Sequence, residues 1–299
     1  MLHNTSTARH ANKQPATMPS SFEDILVYLD DSAAARNALA YAEALNPDGN
    51  TCALMLGFMA NYPMSFYGEV PGDAWLIVQE QAAAEAMKME DRLRANLASA
   101  GSRAELRRAN VMHGEEGNTI VTQGRYADIT VIGWSASTDA DPIRADLQKT
   151  LFEAALFHSG RPVLLVPAAF KRLGHPKRVL IAWTPERESV RAVNDAMAVL
   201  KSAEQVRIVV VNTGAMMPEA NAGDDMARHL ARHDVKVDVK HVPSNGEPVH
   251  KVLLNEVRYL GADLVVMGGY GHSRTGEWLF GGVTRDMLNT ADVPLLMSH

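Results

Sequence analysis

The residues best suited to do chemistry lie near the end of the chain, in the run GGYGHSRTGEWLFGGVTRDML that follows the apolar segment Leu264–Met267. Gly268 is followed after two residues by Gly271, and after nine more by Gly281, Gly282, Val283 and Thr284. A glycine at a strand's end lets the backbone take positive φ and lets an anion approach the amides closely. The second glycine cluster opens a segment of helical character, Val283–Thr290, whose free amides and dipole favour phosphate. The Thr284 hydroxyl adds a donor, and His272, Arg274 and Arg285 bring positive charge into the same stretch. The spacing therefore describes a cradle for an anion. It is not a Walker A loop, because no lysine stands where it would reach a γ-phosphate.

Other constellations are weaker. His229 and His233 lie four apart within 224–233, the spacing of a helix-borne metal pair, with Asp225 one turn away. Polar helix faces commonly carry such residues, and no metal is firmly implied. Cys52, the single cysteine, falls in an apolar run and is expected to be a small core side chain. One cysteine excludes an intramolecular disulfide framework and a cysteine-rich zinc site, and suits a reducing, cytoplasmic setting. No Ser-His-Asp or paired-carboxylate spacing is present, so no catalytic residues are assigned.

The elements that must position the glycine run follow from hydrophobic patterning. The runs Ile25–Leu29, Cys52–Phe58, Ile129–Gly133 and Val163–Val166 are apolar without polar alternation, as strands covered on both faces are. Between them, 32–45 places Ala35, Leu39 and Ala42 on one helical face, with Asp31 or Ser32 able to cap its start. The segment 79–100 places Ala83, Ala86, Met87, Leu93 and Leu97 on one face and stops at Gly101. Its Met87 and Met89 are expected as core filler or a domain contact. Strand–helix alternation of this kind specifies a parallel α/β sheet.

The series then repeats. RVLIAWT at 178–184 matches DILVYLD at 24–30, ADLVVMG at 262–268 matches ADITVIG at 127–133, and VPLLM at 293–297 matches RPVLL at 161–165. The offset is 154 residues at the first strand but 135 and 132 at the later ones, so about 20 residues are extra in the first half. They are placed after its second strand, in Asn61–Trp75 and the long helix that follows. Trp75, beside Pro63, Phe66 and Tyr67, is expected to pack this insertion onto its own domain. The Pro-, Gly- and Lys/Arg-containing segment 167–177 marks the boundary. The expected organisation is a polar tail over 1–21, a first domain over 22–170 and a second over 177–299.

Composition narrows the function classes. With 29 Lys and Arg against 35 Asp and Glu, the net charge is −6, which argues against a nucleic-acid binder. Aromatics at 6 % disfavour base-stacking platforms. No apolar run approaches the ~18 residues of a membrane span, and residues 1–21 lack the apolar region of a secretory signal.

With its Gly-two-Gly-nine-Gly spacing and GGVTR ending inside a duplicated α/β chain, the sequence resembles the universal stress protein family in its tandem form, from about Phe22 to His299. The resemblance implies two Rossmann-like domains, each a five-stranded parallel sheet of order 3-2-1-4-5 with helices on both faces. It implies ATP or a related adenine nucleotide as ligand, a role in stress response, and final strands that pair between the halves. Gly268, Gly271, Gly281, Gly282, Val283 and Thr284 would hold ribose and phosphates, and Met267 would border the sugar. Ala182, Thr184 and Thr213 would border adenine, beyond the carboxyl ends of the strands, where open α/β sheets bind ligands. A homodimer of the whole chain is a further expectation, since symmetric association is common.

Two positions depart from the family pattern. Thr184 stands where the family has an aspartate, and Gly282 where it has a hydroxyl residue. The first half shows the reverse. It keeps Asp30, with Ser32 two residues on, but only Gly133 survives of its glycine loop. Ala136 replaces the second glycine, Lys149 and Thr150 the later pair, and Asp139, Asp141 and Asp146 would oppose a triphosphate. This first site is expected to be degenerate, with Asp30 serving the start of a helix. Two other functions stay open at this stage: a scaffold or small-molecule carrier acting through protein contacts, and a slow ATP hydrolase. The family's pyrophosphatase-like relatives carry an SGGxDS loop, which is absent here.

Overall fold

The computed structural model describes residues 22–60, 72–135, 141–214, 222–270 and 282–299. The first half holds β1 (Asp24–Tyr28), α1 (Ala33–Leu45), β2 (Asn50–Met59), α2 (Gly72–Ala100), β3 (Glu105–Met112), α3 (Glu116–Gly124), β4 (Ile129–Trp134), α4 (Pro142–His158) and β5 (Val163–Pro167). The second holds β6 (Arg178–Ala182), α5 (Arg187–Asp195), α6 (Met197–Ser202), β7 (Gln205–Asn212), α7 (Ala222–Ala231), β8 (Val237–Pro243), α8 (Val249–Leu260), β9 (Leu264–Gly268), α9 (Gly282–Thr290) and β10 (Leu295–Ser298).

These strands form one ten-stranded sheet in the order β3-β2-β1-β4-β5-β10-β9-β6-β7-β8. Each half is a parallel five-stranded sheet of order 3-2-1-4-5, and the halves meet where β5 and β10 pair antiparallel, Leu164 opposite Leu296. A palindromic order about an antiparallel centre is what a local twofold normal to the sheet produces. The central strands are buried along their length: Ile129, Val131, Ile132, Val163, Val166, Val265 and Val266 are all closed to solvent. That burial on both faces explains their apolar, non-alternating sequence.

The aspartate repeated in ADITVIG and ADLVVMG clamps the start of the neighbouring strand. Asp128 Oδ2 accepts from the amides of Glu23 and Asp24 at 2.9 and 3.1 Å. In the second half, Asp263 accepts from the amides of Lys177 and Arg178 at 3.0 and 2.9 Å. The amides at the starts of β1 and β6 thereby acquire side-chain partners.

Two sequence expectations are corrected in α2. Ala86, Leu93 and Leu97 face the core, but Ala83 is exposed and Met87 is 58 % exposed. The buried stripe runs through Ala86, Glu90, Leu93 and Leu97, one residue round from Met87, while Met89 packs against the core. The extra length of the first half does fall here: residues 60–104 link β2 to β3, against 213–236 for β7 to β8, and α2 has 29 residues where α7 has 10. Trp75 is half-buried; Pro63, Phe66 and Tyr67 lie outside the described residues, as do 1–21. Cys52 is half-buried in β2, and burial pushes its thiol pKa up.

Candidate functional site

The carboxyl ends of β6, β7 and β9 lie side by side, because β6 is flanked by β7 and β9. This brings Ala182 and Thr184, Asn212 and Thr213, and Met267 and Gly268 to one edge of the sheet. The chain returns to that edge at α9, which begins with exposed Gly282, half-buried Val283 and buried Thr284. Gly271, Gly281, His272 and Arg274 lie outside the described residues, so the structure places the two ends of the glycine run and not its middle.

Gly268 has a role that differs from the sequence expectation. It is not among the described residues with positive φ; the left-handed turn falls two residues later, on Tyr270 at φ 57°. A Cβ on Gly268 would stand 2.7 Å from the Ser189 amide nitrogen and 2.8 Å from the Glu188 carbonyl carbon. The glycine is therefore imposed by the start of α5, which crosses the end of β9 at backbone contact. Gly133 meets the same constraint from α1, with 2.4 Å to the Ala34 carbonyl carbon. Since the first half keeps this glycine after losing the rest of its loop, the residue serves the fold in both halves. Gly282 is the opposite case: a Cβ there would meet nothing within 4 Å among the described residues.

Thr284 ties the two ends of the run together. Its hydroxyl oxygen accepts from the Tyr270 amide at 3.4 Å, and the residue is only 4 % exposed. Thr184 is exposed, and its hydroxyl lies 2.9 Å from that of buried Ser189. Met267 is buried, Ala182 half-buried and Thr213 exposed. One polar atom here escaped sequence reasoning. Asn212 Oδ1, at the end of β7, is buried with no hydrogen-bond partner among the described residues. A lone asparagine at a strand end carries no sequence signal of that kind.

The corresponding edge of the first half is filled from within. Arg144, near the start of α4, places Nη1 2.7 Å from Asp30 Oδ2 and donates from Nη2 to Asp31 Oδ1 at 3.1 Å. Asp30 Oδ1 also accepts from the Ser32 amide at 2.8 Å, and Ser32 Oγ caps α1 by accepting from the Ala35 amide at 3.0 Å. Tyr28 stands where the second half has Ala182. It is 4 % exposed, and its phenol is held well above the ordinary value by burial first and then by Asp30. Asp141 caps α4 through the Ile143 amide at 3.0 Å. Ala136 and Asp139 lie outside the described residues.

The two remaining candidates do not join this edge. His229, in the last turn of α7, and His233, in the turn beyond it, stack edge-on with ring centroids 4.7 Å apart. Asp225 pairs instead with Arg228. Among the described residues no three His, Cys, Asp or Glu side chains converge as a metal set, and no helix is long and apolar enough to cross a membrane.

Residues 175–299 match the sequence model of the universal stress protein family. The second half is a universal stress protein domain. Along nearly the whole chain the fold is that of a universal stress protein from Archaeoglobus fulgidus DSM 4304, at 18 % identity and a TM-score of 0.65, covering 93 % of this chain and 96 % of that one. A protein of unknown function from Pseudomonas aeruginosa PAO1 is similar at 14 % identity and a TM-score of 0.56, covering 93 % and 92 %. No curated protein matches the sequence significantly. At these identities the shared property is the fold, here two universal stress protein folds in tandem within one sheet.

Proposed function

We propose that the second half of this universal stress protein binds ATP or a related adenine nucleotide, and that the chain acts in the cytoplasmic stress response through that binding. The observation that carries the reading is the contrast between the two sheet edges. In the first half, Tyr28 and the Arg144 ion pairs with Asp30 and Asp31 occupy the carboxyl edge. In the second, the same edge carries the small Ala182, an acceptor on Asn212 without a hydrogen-bond partner among the described residues, and a helix start where a Cβ on Gly282 would meet none of the described residues within 4 Å. Helix-start amides facing the strand ends are where α/β folds take phosphate. An adenine amino group would satisfy Asn212 Oδ1. The phosphates are assigned to the run from Gly271 and Gly281 to Thr284.

Isothermal titration with ATP is expected to give about one site per chain. Gly281→Glu should abolish it, because a carboxylate and its bulk would stand where amides meet an anion. Lys149→Glu, at the matching first-half position, should leave it intact. Two equivalent sites, or binding that survives Gly281→Glu and dies on Asp30→Ala, would place the ligand in the other half. No binding at millimolar ATP would favour a scaffold or carrier, the reading supported by Thr184 being a neutral residue already engaged with Ser189. Turnover beyond a slow ATPase is not expected, since no Ser-His-Asp or paired-carboxylate spacing occurs in the sequence.

A further inference from the structure

A second cavity adjoins the phosphate end of the edge assigned to nucleotide, sharing Tyr270 and Arg285 with it, in the groove where α4 of the first half faces α9 of the second across the β5–β10 joint. It encloses about 430 Å³, within the size range of small-molecule sites. Trp134, Pro142, Ala145, Tyr270 and Leu288 give it apolar walls. The groove is held open at fixed width, because Trp134 Nε1 donates across it to the Leu288 carbonyl at 2.7 Å and packs edge-on against Phe152 at 5.8 Å. Both halves contribute wall, so the cavity exists only in the tandem arrangement.

One group in this groove lacks what its burial demands. Glu153, on the α4 wall, has its Oε1 atom closed to solvent with no hydrogen-bond partner among the described residues. Burial raises its pKa, with Lys149 acting against that rise. A buried acceptor left unpaired costs about 1–3 kcal/mol, and a ligand carrying a donor would remove that cost. With Glu153 counted, two carboxylates (Asp146, Glu153) stand against two cations (Lys149, Arg285), which disfavours a strongly charged ligand.

We propose that this inter-half groove binds a small, largely apolar or aromatic molecule bearing a neutral N–H or O–H donor, with the donor directed at Glu153. Its walls supply burial for the body of the molecule, and the carboxyl oxygen fixes its orientation. The groove touches the nucleotide edge only through Tyr270 and Arg285, and its other wall, from Trp134 to Glu153, belongs to the first half, so dye binding tests the proposal without reference to ATP binding.

The test uses the full chain and the environment-sensitive dye N-phenyl-1-naphthylamine, which combines an aromatic body with one N–H. Saturable fluorescence enhancement at about one dye per chain is expected, with energy transfer from Trp134 that falls in Trp134→Phe. Diphenylamine and diphenyl ether share a shape but only the amine is a donor, so the amine should displace the dye about tenfold more effectively, the ratio expected of a hydrogen bond to a charged or buried acceptor. In Glu153→Leu that preference should vanish while circular dichroism stays native. Ala145→Phe, which fills the groove, should weaken dye binding at least about tenfold and leave ATP binding unchanged. Absence of saturable binding, equal displacement by amine and ether on the wild type, or a preference that persists in Glu153→Leu would each overturn the proposal. The amine-to-ether comparison decides the matter even if Ala145→Phe fails to fold.

Discussion

Replacing Gly268 by alanine separates a glycine needed by the fold from one needed by a ligand. The added methyl would stand 2.7 Å from the Ser189 nitrogen, 2.8 Å from the Glu188 carbonyl carbon and 2.9 Å from Glu188 Cβ. Two of these are backbone atoms that cannot swing aside, so the start of α5 must move off β9. Overpacking that displaces backbone costs typically 1–3 kcal/mol, and ~2 kcal/mol is taken here. With a urea m-value of about 3 kcal/mol/M, the midpoint should fall by about 0.7 M. Gly133→Ala should cost at least as much, since its methyl meets Ala34 carbonyl atoms at 2.4 Å. Gly282→Ala meets none of the described residues, and at the start of α9 it should be neutral or gain up to ~1 kcal/mol from helix propensity. Urea unfolding followed by circular dichroism ranks the three. Should Gly268→Ala lose ATP binding while keeping the wild-type midpoint, the glycine serves ligand approach and the packing argument is wrong.

Three further outcomes follow from particular contacts. Arg144→Ala leaves Asp30 and Asp31 side by side and should cost ~1 kcal/mol in low salt, discounted because the arginine side chain is 31 % exposed; Tyr28 remains in place, so calorimetry should still count one ATP site. Asn212→Leu should weaken ATP binding about fivefold, the worth of one hydrogen bond of ~1 kcal/mol, and an unchanged affinity in titration would remove Asn212 from the adenine contact. Burial raises the folded-state pKa of Glu153 above its unfolded value, so the folded chain holds this proton more tightly and stability falls as pH rises through that interval. Glu153→Gln should abolish this component, so its stability advantage over wild type should grow as pH increases from the ordinary carboxylate value toward neutrality in parallel urea titrations.

The sequence disclosed most where one physical demand acts alone. Strands buried on both faces must be apolar throughout, so β1, β2, β4 and β5 stand out, and the recurrence of three of them at β6, β9 and β10 exposes the tandem; the strand order comes from the family resemblance. The edge strands β3 and β8 carry Arg107, Arg108, Asp238 and Lys240, because an edge must be polar to avoid pairing with another chain, and no apolar run marks them in the sequence. The glycine run was legible as a motif but not as a set of roles, since a glycine required by a crossing helix and one required by a phosphate are the same letter. What separates them is the partner at 2.7 Å, supplied by Ser189, which lies 79 positions away in the chain. Long-range partners also decide the first half. Asp30 is adjacent to a helix start in sequence, yet its charge is answered by Arg144 of α4, 114 positions further along the chain. A degenerate loop and a filled pocket thus occur together: α4 opens at Pro142, seven residues before Lys149, the counterpart of Gly281, and this added length carries the arginine that reaches the strand ends and closes them from inside.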